Sequence, residues 1–256
     1  MRARAAAALL AAALLPAACS VGGPAPGAAG RSTLNVFAAA SLQGTFTEIG
    51  ERFERAHPGV AVAFSFAGSS DLAAQVAEGA PADVLAAADE ATAARVAAAG
   101  LTAGEPVPFA TNVLQIATPP GNPAGVTAFA DLARPGVDVV VCAPQVPCGA
   151  AARAVQASTG VTLSPVSEES SVTDVLGKVA AGEADAGLVY VTDVRAAGGA
   201  VTGVPLPEAA DAVNTYPIAA LRGAAEPDLA RGFVEHVTGP EGRAVLGAAG
   251  FGTPGR

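Results

Sequence analysis

An α/β chain with parallel sheets wound on both faces is what this sequence predicts, and three observations carry that expectation. Short apolar runs rich in Val, Ala and Phe alternate with segments whose apolar residues recur at helical spacing. Gly, Pro and small polar residues punctuate the junctions between them. The chain has 256 residues, 51% hydrophobic and 14% charged, enough for one large domain or two lobes and too apolar for a disordered scaffold.

The elements follow in order. Residues 33–38 read as a buried strand. Ser41 then caps a helix whose Leu42, Phe46, Ile49, Phe53 and Ala56 share one face, and His57-Pro58-Gly59 stops it. A second strand over 60–67 ends at Gly68-Ser69-Ser70-Asp71, where Leu72, Ala73, Val76 and Ala77 begin another helical stripe, closed at Gly79. A short strand over 83–88 and a helix over 91–99 come next, followed by strands over 113–117 and 137–142 and a helix over 150–157. Val172, Val175, Leu176 and Val179 sit at i, i+3, i+4 and i+7, with Gly182 just beyond the helix end. A strand over 186–191, another over 216–221, and helices over 229–236 and 240–248 complete the chain. No low-complexity linker interrupts it, so two lobes would be joined by strand-like crossings.

Composition narrows the function classes. Fourteen Lys and Arg against 23 Asp and Glu give a net charge of −9, with no basic stripe, and aromatics are 4% with no Trp. Such a surface is a poor partner for nucleic acid. No Gly-x-Ser-x-Gly elbow surrounds any serine, and His57 and His236 read as surface histidines rather than catalytic ones. Asp83, Asp89, Glu168, Glu169 and Asp174 lack the loop spacing of a calcium site, and Glu168-Glu169 fits the N-terminal flank of the helix near Val172, where the dipole favours negative charge.

At the N-terminus, Arg2 and Arg4 precede an apolar run over 5–15 that is too short to span a bilayer, then Pro16-Ala17-Ala18-Cys19 and a Gly/Pro/Ala tract. Residues 1–18 resemble a bacterial lipoprotein signal that leaves Cys19 lipidated, with 19–32 as a flexible tether on the extracytoplasmic face of the cell membrane. An ordinary secretory peptide cut near Ala18 is the alternative. Either removes two arginines and no acid, leaving −11. Cys142 and Cys148 remain. In an oxidising compartment a disulfide leads over a redox-active pair or metal ligands, because the spacing is not Cys-x-x-Cys and no further soft ligand lies nearby.

Small polar residues fall at the starts of helices: Ser41, Ser69, Cys148-Gly149 and Ser171-Val172 each follow a strand or precede an apolar helix. Helix N-termini present unpaired N–H groups and partial positive charge, a ready site for an anion. Each serine read alone could equally do no more than cap its own helix. These residues therefore leave an anion or polar-ligand cleft as one possibility.

The same segments carry a family resemblance. Val36-Phe37-Ala38-Ala39-Ala40-Ser41-Leu42 is similar to the opening motif of periplasmic molybdate-binding proteins, which are solute-binding components of ABC transporters with the type II periplasmic binding protein fold. The run from Phe66 through Ser69 to Gln75, the stretches Gly79 to Val84 and Ala88-Asp89, Leu188 to Asp193, and Gly239 to Phe251 match further motifs in the same order. The resemblance implies two α/β lobes, 33–112 with 214–256 and 113–213, around a cleft. It implies a monomer, with no catalysis and no cofactor, that captures molybdate or tungstate and delivers it to a permease and its ATPase. Carried over position by position, Ser41 and Ser69 offer hydroxyl and backbone N–H, Cys148 and Val172 offer N–H, and Tyr190 offers its phenol. Cys148 stands where the family often has Ala, and a bond to Cys142 would rigidify that turn. Sulfate or another tetrahedral oxyanion is the alternative ligand, and a thiol-disulfide protein using Cys142 and Cys148 the alternative class.

Overall fold

The computed structural model of the protein describes residues 32–255. The expected signal, Cys19 and the tether as far as residue 31 lie outside them, and Ser32 already belongs to the first strand. The chain runs β1 (Ser32–Ala39), α1 (Gln43–Ala56), β2 (Val60–Ala67), α2 (Ser69–Ala77), β3 (Val84–Ala86), α3 (Glu90–Ala98) and β4 (Val107–Asn112). It continues through β5 (Leu114–Thr118), β6 (Val139–Cys142), α4 (Pro147–Thr159), β7 (Ser167–Glu169), α5 (Val172–Ala180), β8 (Ala186–Tyr190), α6 (Val191–Ala197) and β9 (Thr202–Val204). It closes with β10 (Asn214–Ala220), α7 (Pro227–Thr238) and α8 (Pro240–Ala249).

Two five-stranded sheets result, in the orders β2-β1-β3-β10-β4 and β7-β6-β8-β5-β9. Each belongs to one lobe, and the chain passes between lobes twice. Both sheets are mixed, which corrects the expectation of parallel sheets. β1, β2 and β3 are parallel, as are β6, β7 and β8, but β10 lies antiparallel to β3 and β4, and β5 antiparallel to β8 and β9. The reversed strand in each sheet is the first one laid down after a crossing. β5 follows β4 across the single residue Val113, with no helix to carry the chain back to the starting edge, and β10 returns from the second sheet through residues 205–213, which hold no α-helix but only a short 3₁₀ turn at Pro207–Asp211.

Helices cover both faces of the first sheet. Leu34, Val36 and Ala38 on β1 join a cluster with Phe46 and Phe53 of α1, Phe233 of α7 and Leu246 of α8, whereas Phe37 between them joins Leu72, Val76 and Val96 of α2 and α3. The two-residue period of a strand, with both faces apolar, accounts for the continuous run seen in sequence. Phe46 anchors the larger cluster, its ring 5.7 Å from Phe109 and 6.2 Å from Phe233. In the second lobe, Val139, Val140, Val155, Val175, Val179 and Leu188 form the equivalent packing from β6, α4, α5 and β8.

Several element expectations need correction. Strands β4, β7 and β9 were not anticipated, because β4 carries Pro108 and ends on Thr111-Asn112, and β7 and β9 are three-residue edge strands with polar members. Helix α4 begins at Pro147 rather than 150, with Pro147 in the first turn where a missing N–H costs nothing. The run over 186–191 ends as a strand at Tyr190, and Val191 opens α6. Glu169 belongs to β7 and bonds the Lys178 ammonium, so it serves an ion pair rather than the helix dipole. His236 is half-buried, not a surface residue: its ring meets the edge of Phe53 at 5.6 Å and Nε2 is enclosed.

Candidate functional site

Beyond the C-terminal ends of strands in both sheets, helix starts face one another across a small, tight cavity. It is far too small for a drug-sized ligand. Its lining includes Ser41 from the 3₁₀ turn after β1, Ser69 as the first residue of α2, Cys148 in the first turn of α4, Val172 as the first residue of α5, and Tyr190 at the end of β8. The structure thus brings together all five residues singled out in the sequence. None of the thirteen lining residues is charged.

Each segment brings the start of a helix or turn to the hollow. The first backbone N–H groups of a helix lack intrahelical acceptors, which leaves those of Ser69, Cys148 and Val172 available, and the tight turn at Ala40–Leu42 does the same for Ser41. Two close approaches hold the segments in place. A Cβ on Gly149 would lie 1.9 Å from the Ala143 carbonyl oxygen, so only glycine lets α4 start directly against the end of β6. A Cβ on Gly68 would lie 2.1 Å from the Ser170 carbonyl oxygen, so the end of β2 in one lobe touches the segment before α5 in the other. Ser70 Oγ adds a bond to the Gln145 carbonyl at 2.6 Å across the same cleft.

The serines do not cap their own helices, contrary to the simplest reading of their positions. Ala39 and Leu42 occupy the cap positions around Ser41, and Gly68 precedes Ser69. Ser69 Oγ instead accepts the Ala88 N–H at 2.9 Å, and Ser41 Oγ meets the Tyr216 hydroxyl at 3.0 Å. Ser171 is a true cap, accepting the Asp174 N–H at 3.3 Å. Both serine hydroxyls are therefore held by partners distant in the chain: Ser69 accepts and keeps its hydrogen to offer, and in the Ser41–Tyr216 pair either oxygen could donate.

Tyr190 is 1% exposed, and its hydroxyl is buried without a hydrogen-bond partner among the described residues. Burial holds the phenol well above its ordinary range, with Tyr216, Asp193 and Asp89 adding to the effect, so it is a neutral donor at any physiological pH. An orphaned buried hydroxyl lining a cavity marks a place where a ligand oxygen completes the hydrogen bonding. Beneath it, Asp193 accepts the Tyr190 N–H at 2.8 Å, and burial pushes its carboxyl up to about 7.

Cys142 and Cys148 are bonded, with Cα atoms 5.7 Å apart, joining the end of β6 to the start of α4. Both cysteines are 3% exposed or less. Thiol exchange needs an accessible sulfur, so a buried clip fits this pair better than a redox centre. Among the described residues no group of three or more His, Cys, Asp and Glu could hold a metal ion. What sequence reasoning missed are the partners of the predicted residues: Tyr216, 0% exposed and behind the lining, the N–H of Ala88 within it, and Asp193.

Residues 34–252 match the family model described as bacterial extracellular solute-binding protein. Over 241 residues, 93% of this chain and 92% of the relative, the sequence is 54% identical to the molybdate-binding protein ModA of Mycobacterium tuberculosis strain H37Rv. It is 30% identical to the protein of that name from Escherichia coli K12, over 85% of this chain and 88% of the relative. In three dimensions it matches the periplasmic molybdate-binding protein of Azotobacter vinelandii with a TM-score of 0.76 and 25% identity, covering 87% of this chain and 100% of the other.

Proposed function

The chain belongs to the family of bacterial extracellular solute-binding proteins, and on that premise we propose that it captures molybdate or tungstate outside the cytoplasmic membrane and delivers it to an ABC permease and its ATPase. It is a binding protein, not an enzyme, and it uses no cofactor. Ser41, Ser69, Cys148, Val172 and Tyr190 are the ligands in this reading. The lobes divide at 112/113 and 213/214, the protein acts as a monomer, and Cys19 carries the lipid that anchors it.

The observation that supports the reading is the uncharged cavity itself, whose lining ends in an unpaired, fully buried phenol. Ser41 and Ser69 each supply a hydroxyl and an N–H, Cys148 and Val172 an N–H, and Tyr190 its O–H. Donors to a charged acceptor contribute about 1.5–3 kcal/mol each, so these seven gross about 10–20 kcal/mol before desolvation and ordering costs. That is compatible with micromolar or tighter binding without Lys or Arg. A rigid neutral cage selects by radius and by the absence of a proton on the ligand. Molybdate and tungstate are larger than sulfate and fully deprotonated at neutral pH, whereas hydrogen phosphate needs an acceptor that N–H groups cannot supply.

Titration calorimetry of the ligand-free protein with molybdate, tungstate, sulfate and phosphate tests this. Molybdate and tungstate should give saturable heats, and sulfate and phosphate little at the same concentrations. Equal heats for sulfate and molybdate would defeat the size argument. Ser41→Ala and Ser69→Ala should each weaken molybdate binding about tenfold or more while the melting temperature stays within a few degrees; unchanged affinity in both would remove these residues from the site.

A further inference from the structure

Resting on that reading of the cavity, we propose that Tyr216 is a positioning residue: its hydroxyl commits Ser41 to donation, and it thereby sets the preference of the site for fully deprotonated oxyanions. Tyr216 does not line the cavity. It lies on β10, the strand that returns from the second lobe, and is 0% exposed. Its side chain is packed edge-on against Phe109, Tyr190 and Phe251, with ring centroids 5.5–6.3 Å away.

A buried phenolic hydrogen needs an acceptor. Ser41 Oγ, at 3.0 Å, is the hydroxyl in hydrogen-bonding geometry with it, in a pair where either oxygen could donate. The Asn112 side chain and the Tyr190 phenol also lie close enough to act on the Tyr216 hydroxyl, and the Asp193 carboxyl acts on it through charge. Burial keeps Tyr216 protonated, so it can always donate. With Tyr216 donating into Ser41 Oγ, the single hydroxyl hydrogen of Ser41 is free for a ligand oxygen, and one of its two lone pairs is already occupied. Donation through a chain of hydroxyls also strengthens the outer bond. Ser69 is arranged alike, since its oxygen accepts the Ala88 N–H at 2.9 Å. Both hydroxyls are thus biased toward presenting a hydrogen inward, which suits a bare dianion and disfavours an oxyanion carrying its own proton.

The test is a double-mutant cycle read by calorimetry with molybdate and with hydrogen phosphate. Tyr216→Phe keeps the ring and removes only the hydroxyl. It should weaken molybdate binding about three- to tenfold and leave phosphate binding unchanged or tighter, so that the selectivity ratio falls. In a Ser41→Ala background the same change should alter molybdate affinity by less than about twofold, because the relay is already cut. An equal loss in both backgrounds, or no loss in either, overturns the proposal. Should Tyr216→Phe fail to fold, Ser41→Cys replaces it: sulfur is a weak acceptor from Tyr216, and retention of full molybdate selectivity would overturn the proposal. A wild-type chain that binds neither anion overturns the functional reading itself, and this inference with it, which separates the two failures.

Discussion

Tyr190 shows how a single residue can serve the ligand at the expense of the empty protein. An unpaired buried hydroxyl costs about 1–3 kcal/mol, and Tyr190 has one. Tyr190→Phe should therefore leave the melting temperature of the ligand-free protein unchanged or higher while weakening oxyanion binding about tenfold or more; melting curves and calorimetry on one preparation check both halves. Asp193 makes the opposite of the usual carboxylate contribution. Its carboxyl moves from 3.8 to about 7 through burial. Across that interval the folded protein holds a proton that the unfolded chain has released, so stability falls as pH rises from about 4 to about 7. Asp193→Asn, whose amide oxygen still accepts the Tyr190 N–H, should flatten that limb of a melting-temperature profile. The lining residues were legible because motifs and helix starts are local. Their hydrogen-bond partners were not: Tyr216 lies 175 positions from Ser41, and Ala88 lies 19 from Ser69. The same distance explains why both serines read as helix caps, since a capping rule looks only along the chain.

At the scale of elements, what was legible were the long periodic segments. α1, α5 and the closing helices announce themselves by apolar residues three and four apart, and β1 and β2 by continuous apolar runs. The short edge strands escaped because an edge needs little burial, and β7, Ser-Glu-Glu, looks like solvent-facing loop until β6 supplies its partner. α6 was hidden by Tyr190-Val191-Thr192, a β-favouring triplet that tertiary context overrides. Two elements yield predictions. Cys142→Ser with Cys148→Ser removes a clip across a short loop already stiffened by Pro144 and Pro147, so the loss should be about 2 kcal/mol or less, a fall in melting temperature of at most about 4–8 °C. Gly68→Ala keeps an ordinary backbone conformation, but its Cβ meets the Ser170 carbonyl at 2.1 Å. It should hold the two segments apart and lower oxyanion affinity about tenfold or more, with little change in the melting temperature of the empty protein.

For the whole molecule, the relevant quantity is a net charge of −9 around a cavity with no charged lining. Such a protein repels the anion it is proposed to bind until the anion reaches the cage, so the association rate for molybdate should rise with added salt as repulsion is screened. Stopped-flow measurements across ionic strength check the sign, which an arginine-lined site would reverse. The division of labour between sheets also has a consequence for unloading. Asn112 and Asn214 sit opposite each other where β4 and β10 pair in the first sheet, so both passages between lobes leave that two-stranded ribbon side by side. Ser41 and Ser69 lie on one side of that ribbon, and Cys148, Val172 and Tyr190 on the other. Neither group alone can wrap a tetrahedron. A modest flexing at the ribbon would therefore strip away the grip of one whole half in a single motion, and the cargo would be let go by leverage alone, with no proton moved and no covalent bond disturbed.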